Sequence, residues 1–162
     1  MTTRIIVTGG TFDKIYNPIT EKFEFEKTHV DEILSLGRNR NKVSIETLML
    51  KDSLHMTDED RQLILERCQD CLEDRILVTH GTGTIVETGQ HLGRNLKSKT
   101  VVLTGAMIPY SVKGSDAEFN FAFAYSAVLY LPVGVYISMN GRVFCWNNVR
   151  KNVNLGEFEA IN

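Results

Sequence analysis

Two short segments of the chain nearly repeat each other, and both end in side chains suited to chemistry. Arg4-Ile-Ile-Val-Thr-Gly-Gly-Thr11 and Arg75-Ile-Leu-Val-Thr-His-Gly-Thr82 each run an apolar stretch into a small turn that closes on glycine and threonine. A threonine hydroxyl becomes a nucleophile once a proton acceptor stands beside it. Thr11 is the first candidate, with Tyr16 a few residues on as its helper. A tight turn with an incidental threonine is the competing reading. A dinucleotide loop is disfavoured, because Gly9-Gly10-Thr11 lacks the G-x-G-x-x-G spacing and no long helix follows directly.

The second turn, His80-Gly-Thr-Gly-Thr84, stands where a strand passes into a helix, and unpaired backbone N–H groups there favour an anionic group. Thr82 is the reactive candidate, best paired with a lysine; His80 reads as a packed or turn-stabilising histidine. Lys99 opens a strand, and beside a low-polarity pocket a lysine loses enough proton affinity to act as a base. A surface lysine at a strand mouth is the commoner fate. Asp52-Ser53 follows the end of another strand, so Ser53 can join the same cleft. Cys68-Gln-Asp-Cys71 has C-x-x-C spacing but falls inside a helix with no second pair, which favours core packing over zinc or redox use.

These candidates need elements to position them. Short apolar runs at 4–8, 43–50, 75–79, 100–104 and 134–138 predict strands, and Asn140-Gly141 predicts a hairpin into 142–146. Four helices fall between them. Thr28 with Asp31, Thr57 with Asp60, and Ser115 with Glu118 mark three starts, and another helix runs on from Thr84. Phe119, Phe121, Phe123 and Tyr125 on the last helix suggest core plus an oligomer contact. The alternation predicts one α/β domain over residues 1–162, a doubly wound, mostly parallel sheet flanked by helices. Ligands bind at the carboxyl ends of strands in such sheets. Segment 12–27 interrupts the alternation: Ile15-Tyr-Asn-Pro18 is turn-like, and Lys22-Phe-Glu-Phe25 alternates like an exposed hairpin strand. It is expected to form a hairpin lid over the site.

Composition sets the outer limits. At 162 residues, 43% hydrophobic and 23% charged, the chain fits an ordinary soluble domain. A net charge of −2 argues against a nucleic-acid partner, and Arg142, Arg150 and Lys151 are too few and scattered to reverse that. No apolar run approaches spanning length and the amino terminus lacks signal-peptide anatomy, so the expectation is cytoplasmic, with no membrane partner. Three cysteines are an odd, sparse set rather than a disulfide framework.

Four stretches together resemble the N-terminal domain of the bacterial-type L-asparaginase family: Thr8-Gly-Gly-Thr-Phe12, Asp52-Ser-Leu-His-Met56, Thr79-His-Gly-Thr-Gly-Thr84, and Lys99 through Pro109. Their order and separations match over nearly the whole chain. The resemblance implies a cofactor-free and metal-free amidohydrolase that takes L-asparagine to L-aspartate and ammonia through an acylated threonine. It implies catalytic roles for Thr11, Tyr16, Thr82 and Lys99 and a substrate contact from Ser53; Gly10, Asp52, Gly81 and Gly83 beside them are the further candidate substrate contacts. The protein is then expected to be a homodimer or higher homo-oligomer.

Two residues depart from the family pattern. Gly83 stands where the family has an aspartate that holds the substrate α-ammonium, and Ile108 where it has an arginine before proline. Glu87 and Asp52 are the candidate substitute anions. Loss of one charge-assisted contact costs about 1.5–3 kcal/mol, which opens two alternatives: a hydrolase of a different small amide, or a non-catalytic amino-acid-binding homologue. The family usually adds a C-terminal domain, so the resemblance is to its short, single-domain form.

Overall fold

Six strands form one sheet in the order β4-β1-β5-β6-β7-β8, in a computed structural model that describes residues 2–162. The strands are β1 (Thr2–Gly9), β4 (Lys42–Lys51), β5 (Arg75–Thr79), β6 (Thr100–Thr104), β7 (Gly134–Met139) and β8 (Arg142–Cys145). Five run parallel and β8 alone is antiparallel, joined to β7 across Asn140 and Gly141, both at positive φ. That geometry is what an Asn-Gly hairpin turn requires.

Strand side chains alternate between two apolar layers. Ile5, Val7, Leu77 and Val102 face α1 (Val30–Leu36) and α4 (Ala117–Tyr130), meeting Val30, Ile33, Phe121 and Ala124. Ile6, Ile76, Val78 and Leu103 face α2 (Asp58–Asp70) and α3 (Ile85–Asn95), meeting Ile64, Leu65, Ile85 and Leu92. Both faces are covered, which explains why these strands read as unbroken apolar runs. The doubly wound reading holds.

Chain order reverses between β1 and β5. From β1 the chain crosses to β4 on one side, then returns to β5 on the other. Such a switch point leaves a crevice beyond the strand ends, where ligands bind. Both Gly-Thr turns open into it.

Some local expectations give way. Thr57 and Asp60 do form a reciprocal capping box on α2. Ser115 and Glu118 do not: α4 begins at Ala117 behind Asp116, whose carboxylate accepts from Met107 N, Ile108 N and Asn120 Nδ2. The N-cap of α1 is His29 rather than Thr28; Thr28 Oγ1 accepts from Val30 N at 3.3 Å and donates to Asp13. The turn-like stretch at 15–18 is mostly strand: β2 (Lys14–Asn17) pairs with β3 (Lys22–Phe25) as a two-stranded hairpin. A further hairpin, β9 (Arg150–Asn152) with β10 (Glu157–Glu159), has no counterpart in the sequence reading.

Candidate active site

The two Gly-Thr turns touch. Gly10, at φ 77°, lies so close to the second turn that a Cβ on it would fall 2.4 Å from Gly81 Cα. Only glycine permits that approach. It lets Thr11, the first residue of a 3₁₀ turn over Thr11–Asp13, stand beside the 81–83 turn. Gly10 itself is not part of the lining of the pocket that the turns enclose.

The pocket they enclose is about 300 Å³, lined by Thr11, Asp52, Ser53, Leu54, Gly81, Thr82, Gly83, Met107 and Lys151. Ser53 opens a 3₁₀ turn at the end of β4 and is buried. Thr84 pins that turn by donating to the Ser53 carbonyl at 2.8 Å. Asp52 accepts from Leu54 N at 3.0 Å and from Lys14 Nζ at 2.5 Å. The Lys14 ammonium holds the Asp52 carboxyl below the usual carboxylate range.

The lysine that reaches this pocket is Lys151. From β9, its Nζ donates to Thr82 Oγ1 at 2.9 Å, and partial burial lowers its pKa from the ordinary lysine value. Lys99 lies at the other end of the sheet. It precedes β6 at the amino end and donates to the Cys71 carbonyl that terminates α2. A strand's first residue cannot share a crevice with residues beyond the carboxyl ends of its neighbours. Nothing in the sequence marks Lys151: it follows Arg150 in a polar stretch, where a charge pair reads as solvated surface.

Tyr16 is 52% exposed on the hairpin, packed against Phe23 with ring centroids 5.6 Å apart, outside the pocket lining. Glu87 is also elsewhere: it lines a groove between α2 and α3 with Asp58, Arg61 and His91. His80 is fully buried, and its ring supports the turn. Gly81 O lies 2.8 Å from Nδ1 and Thr88 Oγ1 2.9 Å from Nε2. A carbonyl only accepts, so Nδ1 carries the proton and Nε2 accepts from Thr88. Desolvation lowers its pKa to about 4, which keeps the ring neutral.

Fold and pocket define an α/β protein with hydroxyls and a lysine gathered at a switch-point crevice, an arrangement suited to nucleophilic chemistry on a small molecule. Residues 3–162 match the model of the asparaginase N-terminal domain, and the chain belongs to that family. It is 29% identical to the L-asparaginase of Thermococcus kodakarensis over 98% of this chain and 50% of that protein. It is 32% identical to L-asparaginase 1 of Escherichia coli K12 over 63% of this chain and 32% of that protein. The T. kodakarensis enzyme's structure superposes with a TM-score of 0.84 at 27% identity, covering 100% of this chain and 52% of that one. L-asparaginase I of Vibrio cholerae gives 0.85 at 25% identity, covering 99% and 51%. The chain thus spans about half the length, or less, of the curated relatives it matches. No helix among the described residues is long and apolar enough to cross a membrane.

Proposed function

We propose that the chain is an amidohydrolase that converts L-asparagine to L-aspartate and ammonia through an acyl-enzyme on Thr11. The observation that carries this reading is the convergence of Thr11, Ser53, Thr82 and Lys151 on one pocket. Thr11 Oγ attacks the side-chain amide carbon as its proton passes to an acceptor. Tyr16 fills that role when the 14–25 hairpin folds over the pocket; Thr82 with Lys151 fills it otherwise. Backbone N–H groups of the Gly-Thr turns stabilise the oxyanion. The C–N bond then breaks, the leaving nitrogen takes a proton and departs as ammonia, and water cleaves the acyl-threonine. Ser53, with Gly81 and Gly83, holds the substrate's α-substituents. Lys151 takes the part that the resemblance implies for Lys99, since its hydrogen bond to Thr82 supplies the coupling that role needs.

The names of the relatives support asparagine as the substrate class. A cytoplasmic setting, with the three thiols free, belongs to the same reading. So does a homo-oligomer, supported by the outward Phe119, Phe123 and Tyr130 of α4. The test is ammonia release from L-asparagine by the purified protein beside its Thr11→Ala variant. Activity that disappears in a folded variant is expected; equal release by both overturns the nucleophile.

A further inference from the structure

The pocket is uneven in charge. Lys151 brings an ammonium whose hydrogen-bond partner is a neutral hydroxyl, Thr82 Oγ1. Among the described lining residues the one carboxylate is Asp52, and both of its oxygens are engaged, Oδ2 by Lys14 and Oδ1 by Leu54 N. Asp52 and Lys14 neutralise each other, so the pocket's unmatched charge is positive. Glu87 sits in another groove and does not offset it.

Beside Ser53 the lining at Leu54 and Gly83 brings no charge. A Cβ on Gly83 would stand 2.8 Å from Leu54 Cδ2 and 3.1 Å from Ser53 Oγ. The far end of the exposed Leu54 side chain therefore lies where a side chain at 83 would enter and has to swing aside for one. Gly83 is not at positive φ, so its backbone accepts a side chain once that leucine gives way. Met107, also in the lining, has its Sδ 3.5 Å from Thr82 Oγ1. A free ammonium brought between these groups gives up water without gaining an anion, which is unfavourable. A carboxylate meets the Ser53 hydroxyl, backbone N–H groups and the field of Lys151, all of which favour it.

We infer that this pocket, on the amidohydrolase reading above, selects side-chain amides that carry a carboxylate but no free ammonium on the neighbouring carbon. Gly83 and Leu54 are the residues that set this specificity. Succinamate, which is asparagine without its amino group, is the simplest member of the class. L-Asparagine is then turned over, but with weaker binding.

The experiment compares succinamate with L-asparagine in two ways: ammonia release by the wild-type protein, and calorimetric binding to Thr11→Ala. A preference for succinamate of about tenfold or more is expected in both, the size of one charge-assisted contact. The double variant Gly83→Asp with Leu54→Ala supplies an anion and the room for it, and should shift the preference toward asparagine. Gly83→Asp alone should shift it the same way, because the exposed Leu54 tip can swing aside, with Leu54→Ala adding to the effect. Asparagine hydrolysed as well as succinamate by the wild type overturns this inference and leaves the amidohydrolase reading standing. Ammonia from neither overturns that reading. Calorimetry then decides the selectivity by itself: tighter succinamate binding upholds it, and equal or absent binding of both overturns it.

Discussion

Lys151 Nζ and Thr82 Oγ1 meet at 2.9 Å although 69 positions separate them in sequence. Partial burial weakens the lysine's hold on its proton, so the pair can take a proton and return it. If they act as one unit, their losses do not add. Lys151→Met and Thr82→Val should each lower kcat by about 10²-fold, and the double variant should fall little further. Steady-state kinetics of the three variants measures the coupling. Fully multiplicative losses would separate the two residues.

Lys99 should behave differently. It is 8% exposed and donates to the Cys71 carbonyl, with Cys71 Sγ at 3.5 Å. Lys99→Met should leave kcat nearly unchanged and lower stability by about 1.5–3 kcal/mol, the range for a charge-assisted bond. Urea unfolding beside an activity assay distinguishes the two lysines. A loss of kcat as large as that of Lys151→Met would return Lys99 to the site.

The contrast between these lysines shows what the sequence carries. Ile5, Leu77 and Val102 lie in unbroken apolar runs because both sheet faces are covered, so the strands are legible from composition alone. Thr11, Ser53 and Thr82 are legible too, since each follows a strand and the parallel sheet sends those ends one way. Lys151 is not. Its place depends on the pairing of β9 with β10, a contact that no local period announces. Asp116 is a similar case: its carboxylate binds N–H groups of Met107 and Ile108 in the preceding loop, and this displaces the local Ser115–Glu118 box. Tyr16 and Asn17 read as turn before Pro18, yet pair with Phe23 and Lys22 across the hairpin.

His80 sets an acid limit. Its pKa falls from 6.5 to about 4 on folding because burial penalises the charged ring. Between those values the unfolded chain binds the extra proton and the native state does not. Stability is therefore full above about pH 6.5 and declines as the pH drops toward 4, by on the order of 3 kcal/mol from this group. NMR of the imidazole nitrogens should show a neutral ring with the proton on Nδ1, unchanged from pH 7.5 to about pH 5. A ring that titrates near 6.5 would refute the effect of burial, and a neutral ring with its proton on Nε2 would refute the support it gives to Gly81.

Asp13 works with the opposite sign. It closes the base of the hairpin that carries Tyr16: Oδ1 accepts from Thr28 Oγ1 at 2.9 Å and from His29 N at 3.0 Å. Oδ2 is buried without a partner, and desolvation raises the carboxyl's pKa against the opposing pull of those bonds. Between 3.8 and the raised native value the folded state holds more protons than the unfolded chain. Asp13 thus contributes most to stability below 3.8, and that contribution is lost as the pH rises through the native pKa. Asp13→Asn keeps the Oδ1 acceptor and removes the buried charge. Its stability relative to wild type should rise from acid to neutral pH, with the gap flat below 3.8, where the wild-type carboxyl is also neutral. Asp13→Ala instead strands the Thr28 hydroxyl and the His29 N–H, at about 1–3 kcal/mol. It should also expose the 14–25 hairpin to proteolysis and lower kcat, because Thr11 lies in the same 3₁₀ turn. Thermal unfolding of the three proteins across pH, with limited proteolysis at neutral pH, reads both effects. A gap between Asp13→Asn and wild type that does not change with pH would mean that the carboxyl does not titrate on folding. The acceptor at Oδ1 would then be its whole role.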